Sequence, residues 1–427
     1  MSWTPISRRR FLARSAANAV ALGLGGSALT ALAFPASTRA GGADDFGPLQ
    51  APDANGLRLP PGFQSRIVAR SNQVVGATGF VWHRDPDGGA TFATDDGGWI
   101  YVSNSETDGG GGGVGVLRFD GSANLVDAYR ILSGTSLNCA GGRTPWQTWL
   151  SCEETSAGRV FECDPFAPSS QGRPRPALGV FQHEAAAVDP VRQKIYLTED
   201  RPDSLLYRFT PNAYPSLASG ILEVAQILDP SDQGPITPGQ IRPLAWHVVP
   251  DPLATQTQTR LQVASATRFD GGEGIDYHAD QLFFTTKGDD RVWRIDTATD
   301  RIEIRYDRAT AVMNALSNVD NLLATPGGDL YVAEDPGDLQ IVALTATGQV
   351  KPIVQVTGHS GTEITGPALS PNGRRLYFSS QRNPGTTYEV EGPFLGPAAA
   401  TLGGLPGLVL TSALALVAVR GLRSEGS

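Results

Sequence analysis

Tyr331-Val-Ala-Glu334-Asp335 is a short apolar strand that runs into acid, and five other stretches of the 427-residue chain share its design. They read Tyr101-Val-Ser-Asn-Ser-Glu106, Trp149-Leu-Ser-Cys-Glu-Glu154, Tyr196-Leu-Thr-Glu199-Asp200, Phe284-Thr-Thr-Lys-Gly-Asp289 and Tyr377-Phe-Ser-Ser-Gln381. The starts at 101, 149, 196, 284, 331 and 377 are spaced 48, 47, 88, 47 and 46 residues apart. A period in the high forties is too long for a single hairpin and suits a four-stranded sheet repeated as the blade of a β-propeller. The 88-residue interval is either a missed blade or a blade carrying a long insertion.

Upstream of the polar ends sits a second set of candidate ligands. Cys139 precedes Glu154, Glu184 precedes Glu199, Glu273 precedes Asp289 and Asp320 precedes Asp335, each by roughly fifteen residues, and Glu363 precedes Gln381 by eighteen. Turn signals lie between, as in Asp189-Pro190, Thr325-Pro-Gly-Gly328 and Ser370-Pro-Asn-Gly373. The unit is therefore a hairpin with polar residues at both ends, and antiparallel pairing sets those ends side by side. In a propeller the first strand of each blade lines the axis, so the ends converge at one mouth of the channel. Acids are poor strand formers and repel one another when clustered. Such a ring, including strand-end acids such as Glu334, is tolerable chiefly with cations among it.

Composition agrees. The chain has 50 Gly and 31 Pro and is only 18% charged, which suits a turn-rich all-β domain over residues 50–395. A net charge of −9 argues against a nucleic-acid surface and fits bound Ca²⁺, which prefers oxygen ligands. Three Cys cannot all pair, and Cys163 reads as a buried inert thiol. Gly109 to Gly113 is not followed by Lys-Ser/Thr and a helix, so it reads as a loop and not a phosphate cradle. His183 and Glu184, as strand neighbours, point to opposite faces, which makes His183 a packing residue. No Gly-x-Ser-x-Gly motif, dinucleotide fingerprint or zinc Cys pairing is present.

Both ends of the chain read as addresses. Ser7-Arg-Arg-Arg-Phe-Leu12 matches the twin-arginine export pattern, and an uncharged stretch from Ser15 to Thr38 follows it, ending at Thr38-Arg39-Ala40. Residues 1–40 are thus expected to be a signal peptide read by the twin-arginine machinery, delivering the protein to the periplasm or cell envelope. From Gly392 to Val419 no charge occurs, and Arg420 and Arg423 follow. Residues 398–427 are expected to form an apolar helix that anchors the chain in the membrane or serves in sorting.

Several segments together resemble the PhoX family of exported alkaline phosphatases. They are Ala51-Pro-Asp-Ala-Asn-Gly-Leu-Arg-Leu-Pro-Pro-Gly-Phe63, Asn138-Cys-Ala-Gly-Gly-Arg-Thr-Pro-Trp-Gln-Thr-Trp-Leu-Ser-Cys-Glu-Glu154, His183-Glu-Ala-Ala-Ala-Val-Asp-Pro190, Tyr196-Leu-Thr-Glu-Asp200 and Glu363-Ile-Thr-Gly-Pro367. The resemblance implies a six-bladed propeller with an insertion near residues 210–265 in one blade. It further implies an axial cluster of Fe³⁺ and Ca²⁺ that hydrolyses phosphate monoesters, in a chain expected to act as a monomer. The family's Cys ligand would fall on Cys139 or Cys152, and its carboxylates on Glu153 or Glu154, Glu184, Glu273 and Glu363. Cys139 is preferred because it opens a hairpin where Glu184, Glu273 and Asp320 stand in other units. Arg382, just past the Gln381 strand end, is the candidate to face the phosphate. The chain is shorter than the better-known members. Two other readings are a calcium-dependent lactonase-like hydrolase, against which a ligating thiolate at Cys139 speaks, and a non-catalytic calcium-stabilised propeller.

Overall fold

A computed structural model describes residues 42–168, 171–312 and 316–394. The expected signal peptide and C-terminal apolar helix lie outside these residues. Within them the chain is all-β, and helical structure is confined to three single turns at Ala43–Asp45, Pro176–Leu178 and Thr259–Leu261. No helix among the described residues is long and apolar enough to cross a membrane.

Two short strands come first, β1 (Leu57–Arg58) and β2 (Gln64–Arg70). A four-stranded unit follows: β3 (Pro86–Ala93), β4 (Trp99–Ser105), β5 (Gly112–Phe119) and β6 (Leu125–Thr135). The next comprises β7 (Asn138–Arg143), β8 (Trp149–Glu153), β9 (Val160–Cys163) and β10 (Arg173–Pro174). Then come β11 (His183–Asp189), β12 (Lys194–Glu199), β13 (Tyr207–Ala213), β14 (Ser216–Ile227) and β15 (Ile241–Val248). They precede β16 (Gly272–His278), β17 (Gln281–Thr286), β18 (Arg291–Asp296) and β19 (Arg301–Asp307). The last two units are β20 (Val319–Ala324), β21 (Leu330–Glu334), β22 (Gln340–Leu344) and β23 (Val350–Val356), then β24 (Ile364–Leu369), β25 (Arg375–Ser380) and β26 (Thr386–Glu391).

The architecture is propeller-like. Strands β3, β7, β11, β16, β20 and β24 are innermost, and each packs against the next around a closed ring. The sheets number five among the described residues, and not six separate blades, because β15 pairs with both β14 and β19 and joins two units into one nine-stranded sheet. That joining strand falls inside the stretch expected to be an insertion. The circle closes through the N-terminal strands: β2 pairs with β26, and β1 with β23.

The aromatic residues that open each repeat explain why these segments fold as strands. Tyr101, Trp149, Tyr196, Phe284, Tyr331 and Tyr377 are all buried between neighbouring sheets. Their burial on both sides gives the second strand of each unit a continuous apolar character. Tyr101 and Tyr377 stack at 5.1 Å between centroids, tying the first unit to the last.

Candidate metal centre

Each inner strand is interrupted by a β-bulge near its start, between Pro86 and Gly89, Asn138 and Gly141, His183 and Ala186, Gly272 and Ile275, Val319 and Leu322, and Thr365 and Ala368. A bulge breaks the ladder and re-aims a side chain. Asp87, Cys139, Glu184, Glu273 and Asp320 all sit at these interruptions, and Glu363 lies immediately before β24. Small residues follow most of them, because the inner strands approach closely. A Cβ on Gly88 would lie 2.5 Å from Ala140 Cα, and one on Gly274 would lie 2.6 Å from Leu322 N. The penultimate residue of a neighbouring second strand pins several of the site residues by their backbone. Asn104 Nδ2 donates to Cys139 O at 3.0 Å, Thr198 Oγ1 to Glu273 O at 2.5 Å and Thr285 Oγ1 to Asp320 O at 2.6 Å.

The first residue past each second strand supplies the rest: Glu106, Glu154, Asp200, Lys287, Asp335 and Gln381. Four sets of side chains bring ligand atoms within 4.8 Å of one another: Glu106, Cys139 and Glu154; Asp87, Glu106 and Glu363; Asp320, Asp335 and Glu363; and Glu184, Glu273 and Asp320. Glu106, Glu363 and Asp320 are shared between sets, and Cys139 Sγ lies 3.2 Å from Glu184 Oε1, so the four sets close into one ring. Two cations sit in its rim. Lys287 Nζ is 2.8 Å from both Glu273 Oε1 and Asp335 Oδ2. Arg382 Nη2 is 2.5 Å from Glu106 Oε2, with Glu363 and Asp85 at 3.6 and 3.7 Å from its other nitrogens.

The charges do not balance. Burial, and then mutual repulsion, holds Asp87, Glu184, Glu273 and Glu363 well above the ordinary carboxylate range. Burial pushes Glu154 up to about 8 and Asp320 up to about 7, and raises the Cys139 thiol as well. Burial alone would lower Lys287, yet Glu273, Asp320 and Asp335 more than offset it and the net shift is upward. Glu184 Oε2 and Gln381 Oε1 are buried with no hydrogen-bond partner. Unpartnered buried oxygens among repelling carboxylates and a thiol are the donor set that metal cations satisfy. The residues present therefore fit a cluster of cations.

Some residues singled out in the sequence lie elsewhere. Cys152 is buried in an apolar cluster with Leu150, Val160 and Phe181, away from the ring, as β8 turns alternate residues to opposite faces. Glu153, Glu199 and Glu334 are each the last residue of a second strand and point away from the axis. Glu153 accepts from Ser136 N and Arg159 N, Glu199 from Tyr207 Oη and Leu205 N, and Glu334 from Ser317, Asp338 and Gln340 N. Each ties together its local loops. Asp289, the polar end of its repeat, bonds Thr286 and Arg291, and Lys287 takes the axial position instead. Cys139, Glu154, Glu184, Glu273, Asp320, Glu363 and Arg382 come together. Sequence reasoning missed Asp87 and Lys287, and it set Glu106 and Asp335 among the converging strand ends without naming them as metal ligands. Asp87-Gly88-Gly89 carries the same acid-then-small signature as Glu184-Ala-Ala and would have revealed itself on that basis.

Fold and site define a propeller-like protein with an anionic, thiol-bearing cluster at one mouth of its axis. Residues 109–309, just under half of the chain, match the model of the family described as alkaline phosphatase PhoX. The resemblance carried by the sequence is thereby borne out, and it supports a phosphatase enzyme. Among solved structures the chain is similar to PhoX of Pseudomonas fluorescens in complex with vanadate, a transition state analogue, with 17% identity, 83% of this chain and 99% of that chain covered, and a TM-score of 0.67. At that identity the likeness is one of fold. A gluconolactonase from Xanthomonas campestris, at 12% identity over 81% of this chain and 98% of its own, has a TM-score of 0.47, too low to carry an argument. No curated protein sequence matches the chain.

Proposed function

We propose that this chain hydrolyses phosphate monoesters at the axial ring, with calcium and iron ions held by Asp87, Glu106, Cys139, Glu154, Glu184, Glu273, Asp320, Asp335 and Glu363. The observation that carries this reading is the closed ring of carboxylates around one thiol, with buried unpartnered oxygens and two cations at its open side. The carboxylate positions suit Ca²⁺, and Cys139 suits iron, which a calcium-only hydrolase or a passive scaffold has no use for. Bound there, the ions would supply charge neutralisation at the phosphoryl group and activation of water for attack on phosphorus.

The chain's own groups do the positioning. Arg382 is 43% exposed and held by Glu106, so its guanidinium stands ready at the mouth to donate to phosphate oxygens. Lys287, pinned by Glu273 and Asp335, places a second positive charge in the rim. Together they favour the extra negative charge that phosphoryl transfer concentrates there. The six inner strands, five of them bearing a site residue and β24 preceded by one, support a six-blade count in which the third and fourth blades share an edge. The twin-arginine pattern at residues 7–12 supports export to the periplasm or cell envelope, and the uncharged C-terminal stretch supports attachment to the membrane.

The test is elemental analysis of folded protein beside hydrolysis of a generic aryl phosphate at alkaline pH. Iron with several calcium ions per chain and turnover of the ester are expected. Protein replete in both metals that cleaves no phosphate ester would mean that the scaffold is shared and the reaction is not.

A further inference from the structure

A second cavity, of about 310 Å³, has among its lining residues Trp82, His83, Arg84, Ser105, Thr107 and Arg130, and no carboxylate. That composition is unexpected in a chain of net charge −9. The end of β4 places it: Ser105 and Thr107 line this cavity, while Glu106 between them belongs to the axial ring. The cavity and the ring thus lie on opposite faces of one short segment.

Arg130, on β6, is half-buried, and among the described residues neither it nor Arg84 has a hydrogen bond or ion pair with another side chain. Asp85, next in the chain, is not among the lining residues: it accepts from Thr107 Oγ1 and faces Arg382. The glycine-rich run 109–113 makes room: Gly111 lines the cavity, and a Cβ on Gly113 would lie 3.0 Å from Arg130 Nη1. His83 is 5% exposed, and its Nδ1 has no partner. Trp82 is fixed in the floor by its Nε1 bond to Thr387 Oγ1. A partly desolvated guanidinium without a counter-ion is costly, and an anion with several oxygens would satisfy Arg130 and the exposed Arg84 together.

We propose that this cavity is an oxyanion-binding site, separate from the axial ring, that takes a phosphate-class anion through Arg130 and Arg84. The anion is either free inorganic phosphate or a second anionic group carried by a phosphate ester. Only the latter rests on the phosphatase reading.

Trp82 supplies the readout. Titrating the full chain with sodium phosphate at constant ionic strength should give a saturable change in tryptophan fluorescence that Trp82→Phe abolishes. Arg130→Gln should shift the midpoint to roughly ten-fold higher phosphate or beyond, and Arg130→Lys should restore part of the loss. Where Arg130→Gln fails to fold by circular dichroism, Arg84→Gln, at an exposed position, carries the same comparison. Equal midpoints in wild type and the folded arginine variants, or no saturable Trp82 signal, overturns the proposal. A second arm separates the two sources. A KM raised in Arg130→Gln only for an aryl phosphate bearing an extra carboxylate assigns the site to substrate, whereas weakened phosphate binding with unchanged KM values assigns it to free phosphate. Since anion binding is read by fluorescence, a wild-type protein that hydrolyses nothing would remove the phosphatase reading and leave this one standing.

Discussion

Three acid doublets, Glu153-Glu154, Glu199-Asp200 and Glu334-Asp335, divide their labour by a single position in the chain. The first member of each closes its strand and ties loops, and the second follows the strand and stands at the axial mouth. Neutralising either member should therefore have opposite consequences. Glu154→Gln is expected to lower bound metal and activity together. Glu153→Gln should keep the metal and cost about 1 kcal/mol through two weakened loop hydrogen bonds. Metal content by elemental analysis and Tm by calorimetry separate them, and metal loss in Glu153→Gln alone would invert the assignment. The thiols divide in the same way. Cys139→Ser should lose iron and hydrolysis while keeping most calcium. Cys152→Ser should instead destabilise by ~1–3 kcal/mol, as a hydroxyl enters an apolar cluster, with metals retained. The acid at the strand end was legible from composition and spacing, but which of two adjacent acids faces inward was not. A one-residue shift reverses the face, and the exact end of a strand is the least legible feature of a sequence. Lys287 was overlooked for a different reason: a ring of acids invites a search for acids, although a half-buried cation among them satisfies the same electrostatics.

Strands and hairpins followed directly from the aromatic starts and turn signals, whereas the bulges did not, because a bulge is a property of two strands in register and not of one. Yet the bulges turn the inner strands' acids into a ring, and they explain the small residues after them. Gly142 on β7 is the tightest case: a Cβ there would lie 1.8 Å from Ala186 O on the neighbouring inner strand. Backbone cannot yield as a flexible side chain can. Gly142→Ala is thus expected to force β7 and β11 apart and to cost about 3 kcal/mol or more. Gly97→Ala is the matched comparison, with a φ of +82° but nothing within 4 Å of its Cβ, and should cost only about 1 kcal/mol through backbone strain. Chemical denaturation of both variants decides it. Equal losses would mean that the inner strands have slack, and the close approach would then not explain the glycines. The joining of two units through β15 was likewise invisible, since a strand inside an apparent insertion carries no copy of the repeat.

The molecule as a whole is a circle closed around an unbalanced charge, and its response to pH should reveal whether cations hold that charge. In the metal-free chain, burial raises Glu154 from 4.5 to about 8 and Asp320 from 3.8 to about 7. The folded state then binds protons that the unfolded state has already released, so stability falls as pH rises through these values. Buried His83 and His183 act in the opposite sense, for burial lowers both from 6.5 to about 3 and stability rises with pH across that lower window. Above about pH 7.5 the histidines are neutral in both states, which leaves the raised carboxylates, those of the ring together with Glu199 and Glu334 at about 7, to set the slope. Chelator-treated protein is therefore expected to lose Tm between about pH 7.5 and 8.5. Metal-loaded protein should hold its Tm or gain, because cations favour the ionised ring and bind it more tightly as protons leave. The measurement is a pair of melting series across that window, with and without chelator. Parallel curves for the two forms would show that the ring manages its charge without metal, and the cluster assigned to this mouth would then have to be abandoned.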